Sequence, residues 1–185
     1  MKENLFKRCT KLIWKSSRQR LLLLLATLLP SAAMWAAVGK TFKSNVTLNE
    51  SSTVSMQFVI TSEDEGAKTC SVQGDYDEDF DEYTASINTS TQGAITIPES
   101  VDGYTVTGIN SYAFYGCKKI TSVAIPSGVT AIGEYAFYNC QAMTATNMPD
   151  DLTSLGQRAF YGCKELASIS GTGKYTSIQI GRASC

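Results

Sequence analysis

The chain has 185 residues, enough for one domain with a small companion, and its hydrophobic content of 43% is typical of globular rather than disordered proteins. The formal net charge of −1 hides an asymmetry, because residues 1–37 carry seven of the 16 Lys and Arg residues. The rest carries nine basic and sixteen acidic residues, a net charge of −7, which argues against nucleic-acid binding. The chain has no His, which excludes Ser-His-Asp and Cys-His catalysis and His-ligated metals.

Residues 1–37 have the order of a secretory signal peptide. A basic stretch precedes the apolar run 21–29, and small residues follow up to Ala36 and Ala37. The apolar run is shorter than the roughly 20 residues of a membrane-spanning helix, and Pro30 interrupts its extension. We therefore expect cleavage near Ala36 or Ala37, and a secreted or cell-surface protein that meets the membrane only during export.

Residues 38–92 are predicted to form a β-rich capping region. Residues 38–52 are polar and are expected to be loosely ordered. The alternating pattern of residues 53–61 predicts a strand, 62–66 a turn, and 68–73 a returning strand. This hairpin is expected to cap the domain that follows.

The capping region ends in an acidic segment, in which six of the eight residues 75–82 are Asp or Glu. Clustered carboxylates can bind calcium, so the alternating aspartates are a weak metal candidate: Asp75, Asp77, Asp79 and Asp81. The calcium motif built on two helices needs Gly and Glu where this segment has Phe80 and Ser86. The simpler interpretation is a solvated acidic loop whose aromatic residues pack inward: Tyr76, Phe80 and Tyr83.

A repeat of 23 residues dominates the rest of the chain. The run Ala-Phe-Tyr-Gly/Asn-Cys occurs at 113–117, 136–140 and 159–163, and Ile125-Pro126 recurs as Met148-Pro149. Alternating apolar residues before each Pro predict a short strand, and Glu134 to Phe137 reads as one helical or 3₁₀ turn. Single units cannot bury their apolar side alone, whereas stacked units align the Phe and Cys residues in buried columns.

These coordinated positions resemble the BspA-type leucine-rich repeats of bacterial, Bacteroidetes-like surface proteins. The resemblance implies a leucine-rich-repeat solenoid over residues 93–185, with short parallel β-strands, about three 23-residue units and an incomplete end. It also implies a surface or extracellular location and a binding or adhesive role. Family members share no catalytic set, so the resemblance assigns no site residues.

The cysteines at 23-residue spacing are predicted to be buried thiols. Stacked rungs bring their Cα atoms about 4.8 Å apart, but parallel side chains make poor disulfides. Cys70 and Cys185 lie outside this series and could pair with each other or with a partner.

Two surfaces are binding candidates. The first is the inner sheet face, where the side-chain alternation exposes small residues: Ser122, Ala124, Ala145, Asn147, Ser168 and Ser170. The second is a tyrosine column, which either binds a ligand or only shields the Phe column: Tyr115, Tyr138 and Tyr161. No glycine-rich phosphate loop is present, and no cofactor is predicted.

The sequence therefore predicts a non-enzymatic recognition or adhesion module that binds a protein or glycan outside the cell. The alternatives are a structural spacer, a calcium-binding surface protein, and a secreted hydrolase that uses Asp79 and Asp81 as a general acid and base.

Overall fold

The computed structural model describes residues 37–48, 52–64 and 66–170. Within these ranges the chain forms strands joined by turns, without helices. One eleven-stranded sheet contains most of the strands, and a separate two-stranded hairpin carries the acidic segment. Residues 1–36 of the predicted signal peptide lie outside the described residues, and so does Cys185.

The N-terminal cap is an antiparallel meander of three strands. Strand β1 (Thr41–Leu48) pairs along its whole length with β2 (Ser52–Asp64), which pairs with β3 (Ala67–Val72). The predicted hairpin is confirmed, but the expectation of loose order over residues 38–52 is wrong for the part that forms β1. Phe42, Val46 and Leu48 alternate along β1 and pack on the core, a pattern that the intervening polar residues concealed.

The acidic segment folds into a hairpin of β4 (Asp75–Asp77) and β5 (Glu82–Thr84). The solenoid follows, and its strands lie on two sides. The first side contains β6 (Gln92–Thr96), β9 (Lys119–Ala124), β11 (Ala145–Asn147) and β13 (Ser168–Ser170). The second contains β8 (Tyr104–Ile109), β10 (Ala131–Ile132) and β12 (Ser154–Leu155), with β7 (Ser100–Val101) paired to β8.

Equivalent residues of successive rungs lie side by side, 23 positions apart. Ala145 pairs in parallel register with Ser122 on one side and with Ser168 on the other. The turns are also bonded from rung to rung, since the Phe137 amide donates to the Ala159 carbonyl at 2.8 Å. The described residues thus form a parallel β-solenoid of about three turns, as the sequence predicts.

The cap bonds to the first strand of both sides of the solenoid. Strand β1 pairs antiparallel with β6, and β3 pairs in parallel with β8. Unpaired strand edges are prone to aggregation, and terminal repeats need a cover. The meander supplies that cover for both sides at once.

The predicted Phe and Cys columns form the centre of the core. Phe114, Phe137 and Phe160 are almost fully buried, and successive rings stack with centroids 5.0 Å apart. Burial of each ring stabilises the fold by roughly 1.5–3 kcal/mol. The repeat cysteines are also buried and unpaired.

The segment that precedes each Phe is a series of turns rather than a continuous helix. The Tyr138 amide donates to the Tyr135 carbonyl at 3.1 Å, a bond of 3₁₀ type, but Tyr135 itself has a φ of 55°. A second positive φ at Asn139 (57°) explains why Gly or Asn stands at this position of the repeat, because both adopt the left-handed conformation readily.

Gly133 lies where two rungs approach most closely. A Cβ atom there would lie 2.7 Å from the carbonyl carbon of Asn110 and closer still to the amide nitrogen of Ser111. Gly156 is crowded in the same way by the rung before it. The glycine of the pairs Ile132-Gly133 and Leu155-Gly156 is therefore required by the spacing of the rungs.

Candidate binding surface

The predicted tyrosine column is present along the turns of the solenoid. Tyr115 and Tyr138 stack with centroids 5.0 Å apart and planes 4° apart, and Tyr138 and Tyr161 at 5.4 Å and 11°. Tyr161 is 40% exposed. These rings hold the same position on each rung because the backbone of the turns is bonded from rung to rung.

A second column, which the sequence analysis missed, runs beside the first. Tyr112 and Tyr135 stack at 5.4 Å with planes 4° apart. The Arg158 guanidinium lies 5.8 Å from the centre of the Tyr135 ring and donates a 2.8 Å hydrogen bond to its hydroxyl. The sequence does contain a signal for this column. Its residues recur at the same 23-residue spacing, each three positions before a tyrosine of the first column.

The acidic hairpin extends both columns by one further level. Tyr83 stacks on Tyr115 with centroids 4.1 Å apart, and Tyr76 lies 5.6 Å from Tyr112. Tyr76 and Tyr83 also stack on each other at 4.6 Å. The result is a surface of two columns and four levels that we call the tyrosine strip: Tyr76, Tyr112, Tyr135 and Arg158 beside Tyr83, Tyr115, Tyr138 and Tyr161.

Three phenol groups and the guanidinium of the strip have raised pKa values. A hydrogen bond to Asp81, at 2.9 Å, is the main cause that raises the pKa of Tyr76 to about 12. Burial is the main cause that raises the pKa of Tyr112 and of Tyr115. The hydrogen bond to Tyr135 raises the pKa of Arg158. These three phenols therefore stay neutral, and Arg158 stays a cation.

An open groove of about 460 Å³ runs beside the strip, from Gln73 near the cap to Ser154 on β12. Near the cap it is lined by Tyr76 and Tyr112 of the strip, together with Asp75 and Asn110. The Asn110 side-chain amide donates to the Gln73 side-chain oxygen at 2.8 Å, which fixes both amides. Near the cap the groove therefore combines aromatic rings, two side-chain amides and the Asp75 carboxylate.

The hairpin differs from the predicted inward-packed loop. Phe80 lies at its tip and is 55% exposed, whereas Tyr76 lies against Tyr112 and Tyr83 stacks on Tyr115. Within the described ranges, no group of three or more acidic or Cys side chains is arranged to hold a metal ion, so Asp75, Asp77, Asp79 and Asp81 do not converge into one. Asp79 and Asp81 are exposed near the tip. They are the general acid and base of the hydrolase alternative.

The small residues of the predicted inner face lie on β9, β11 and β13. Ala124, Ser168 and Ser170 are exposed, and Ser122 and Ala145 are half-buried. Asn147 has a structural role on this face. Its side-chain oxygen accepts from the Ile125 amide at 2.7 Å, and its side-chain nitrogen donates to the Ile125 carbonyl at 2.6 Å.

The buried thiols are donors in the backbone network. The Cys140 thiol donates to the Phe114 carbonyl at 3.2 Å, and the Cys163 thiol to the Phe137 carbonyl at 3.1 Å. Burial raises the pKa of Cys117 to about 12. Cys70 is buried in β3 and is likewise unpaired. Thiols held protonated in this way are poor nucleophiles.

Across the part of the chain that the structure describes, no helix is long and apolar enough to span a membrane. The family described as "BspA type Leucine rich repeat region (6 copies)" matches residues 86–182. No curated protein matches the chain.

Three solved structures are similar to the chain. A leucine-rich repeat protein from Bacteroides ovatus is 27% identical over 68% of this chain and 28% of its own, with a TM-score of 0.42. A leucine rich cell surface protein from Faecalibacterium prausnitzii is 27% identical over 66% and 29%, with a TM-score of 0.42. The leucine rich repeat protein of T. pallidum is 21% identical over 52% and 67%, with a TM-score of 0.27. The chain spans less than a third of the length of the first two proteins.

Proposed function

Because the chain belongs to the BspA-type leucine-rich repeat family, we propose that it is a non-enzymatic recognition module that works at the cell surface or after secretion. Its ligand is a protein or a glycan outside the cell. The order of basic, apolar and small residues in residues 1–37 supports export. Intact-mass measurement of the exported protein tests this part, with cleavage expected near Ala36 or Ala37.

The tyrosine strip is the observation that carries the proposal. Tyr and Arg are enriched where protein interfaces bind most strongly, because each offers a large contact area with a polar end. Seven Tyr side chains and one Arg lie together on one surface. Stacking holds the rings in place, so a ligand has little side-chain entropy to remove.

The small-residue face is the competing site. It carries small, uncharged side chains, and Asn147 is already bonded to the neighbouring rung. A surface of this kind offers a ligand few strong contacts. We therefore place the ligand on the tyrosine strip.

A binding screen with two matched variants tests the choice. The exported protein is screened against extracellular matrix proteins, glycans and bacterial surfaces. The strip variant is Tyr115→Ser with Tyr138→Ser, and the face variant is Ala124→Arg with Ser168→Arg; circular dichroism checks that both are folded. Loss of binding in the strip variant alone supports the proposal. Loss in the face variant alone moves the site to β9 and β13, and absence of any ligand contradicts a recognition role.

A further inference from the structure

We infer that the tyrosine strip binds an extended, unbranched, neutral polysaccharide, laid along the stacking direction of the rungs with one sugar ring at each level. The inference rests on the proposed recognition function and narrows its ligand to one chemical class. Three observations support it: the pitch of the strip, the groups that the strip exposes and the groove beside it.

The pitch of the strip favours a glycan over a peptide. Neighbouring rings of the first column lie 4.1, 5.0 and 5.4 Å apart, and the second column keeps a similar interval. Side chains on one face of an extended peptide recur about every 6.8 Å, or two residues at about 3.4 Å each. A peptide laid along the strip therefore falls out of register within a few levels. An extended chain of pyranose rings advances by one ring over a length close to one rung.

The exposed groups of the strip match sugar hydroxyls. Both faces of Tyr115, Tyr138 and Tyr135 are covered, by neighbouring tyrosines or by the Arg158 guanidinium. The interior levels therefore offer ring edges and phenol oxygens rather than open ring faces. A phenol both donates and accepts hydrogen bonds, as a sugar hydroxyl does.

The charge of the strip does not call for a charged ligand. Arg158 is the one cation among the residues that define it, and its guanidinium already donates to the Tyr135 hydroxyl. The hydrogen bond to Asp81 raises the pKa of Tyr76, and burial raises the pKa of Tyr112 and of Tyr115, so these three phenols remain neutral. A neutral glycan meets these groups without an unpaired charge.

The amide pair at the cap end of the groove gives the glycan a fixed end. Gln73 and Asn110 are held by their mutual hydrogen bond, and such placed amides orient a ligand. A terminal sugar in the groove sets the register of the sugars on the levels that follow.

Titration calorimetry with oligosaccharides of increasing length tests the inference. The probes are β-1,4-glucan and β-1,4-mannan oligomers, which are extended, and α-1,4-glucan oligomers, which coil and serve as the matched probe control. Affinity for an extended series should rise with each added sugar until the four levels of the strip are filled and should then be constant. The coiled series should bind more weakly at every length.

Two single-atom variants separate the hydroxyl contacts from the fold. Tyr138→Phe removes one mid-strip phenol oxygen and keeps the ring, and should weaken binding about two- to tenfold, the range for one hydrogen bond. Ser122→Ala, on the other surface, should leave affinity unchanged. Asn110→Ala should weaken binding of every length equally, because it acts on the fixed end.

The outcomes distinguish this inference from the function on which it rests. Affinity that does not depend on chain length, or that Tyr138→Phe leaves unchanged, overturns the inference. So does a strip-dependent protein ligand in the screen together with no binding of extended glycans, although the recognition function then stands. Absence of any protein or glycan ligand overturns both.

Discussion

Truncation of the central ring of the Phe column should destabilise the protein more than any change to the tyrosine strip. Phe137 is fully buried and stacks on Phe114 and Phe160, each at 5.0 Å. Phe137→Ala leaves a cavity and removes both ring contacts. The expected loss in the free energy of unfolding is about 3–5 kcal/mol, of which each ring pair contributes about 0.5–1.5 kcal/mol.

Urea denaturation followed by far-UV circular dichroism measures this loss. A domain of this size has a total stability of about 5–15 kcal/mol, so Phe137→Ala should remain folded only marginally. Tyr138→Phe is the control, because it alters only a surface hydroxyl and should stay within about 0.5 kcal/mol of the wild type. A loss below about 1 kcal/mol for Phe137→Ala would show that the column is not the centre of the core.

Three further predictions concern the close approach of the rungs, the hydrogen bonds between them and the titration of two buried cysteines. Gly133→Ala should cost about 1–3 kcal/mol through overpacking, as measured by denaturation, whereas Gly128→Ala, whose Cβ would meet its nearest atom at 3.7 Å, should be nearly neutral; equal effects would contradict the close approach. Asn147→Ala should lower stability by about 1–3 kcal/mol, because it leaves backbone groups of the neighbouring rung unpaired; an unchanged melting temperature would count against this role. Burial raises the pKa of Cys70 from 9.0 to about 11 and that of Cys117 to about 12, so the folded state keeps protons that the unfolded chain loses. The contribution of these thiols to stability should therefore be constant below about pH 9 and fall between pH 9 and pH 12, and Cys70→Ala should reduce that fall in a denaturation series; an unchanged fall would refute the assignment to the thiols.

The core of the solenoid was predictable because the repeat specifies it locally. Phe114, Phe137 and Phe160 recur at a fixed spacing, and a fixed spacing in a solenoid means stacking. The cap was only half predictable. The alternation in β2 is plain in the sequence, whereas β1 carries its apolar residues between polar ones and is ordered by pairing on both of its edges.

The sequence predicted one column of the tyrosine strip. There are physical reasons why it did not predict the rest. The column of Tyr115, Tyr138 and Tyr161 lies within the conspicuous repeat run, but the second column ends in Arg158, so its residue type changes while its position does not. The contribution of Tyr76 and Tyr83 depends on how the hairpin folds back onto the first rung. Contacts between segments this far apart are set by tertiary packing, which no local pattern encodes.

Equivalent residues of successive rungs are 23 positions apart, so the number of rungs does not depend on the cap. Since only the first strand on each side bonds to the cap, duplication or deletion of one 23-residue segment would rejoin the same hydrogen bonds at the new junction. Each such event would also add or remove one level of the tyrosine strip. Unequal recombination within the gene would therefore lengthen or shorten the tyrosine strip in steps of one level.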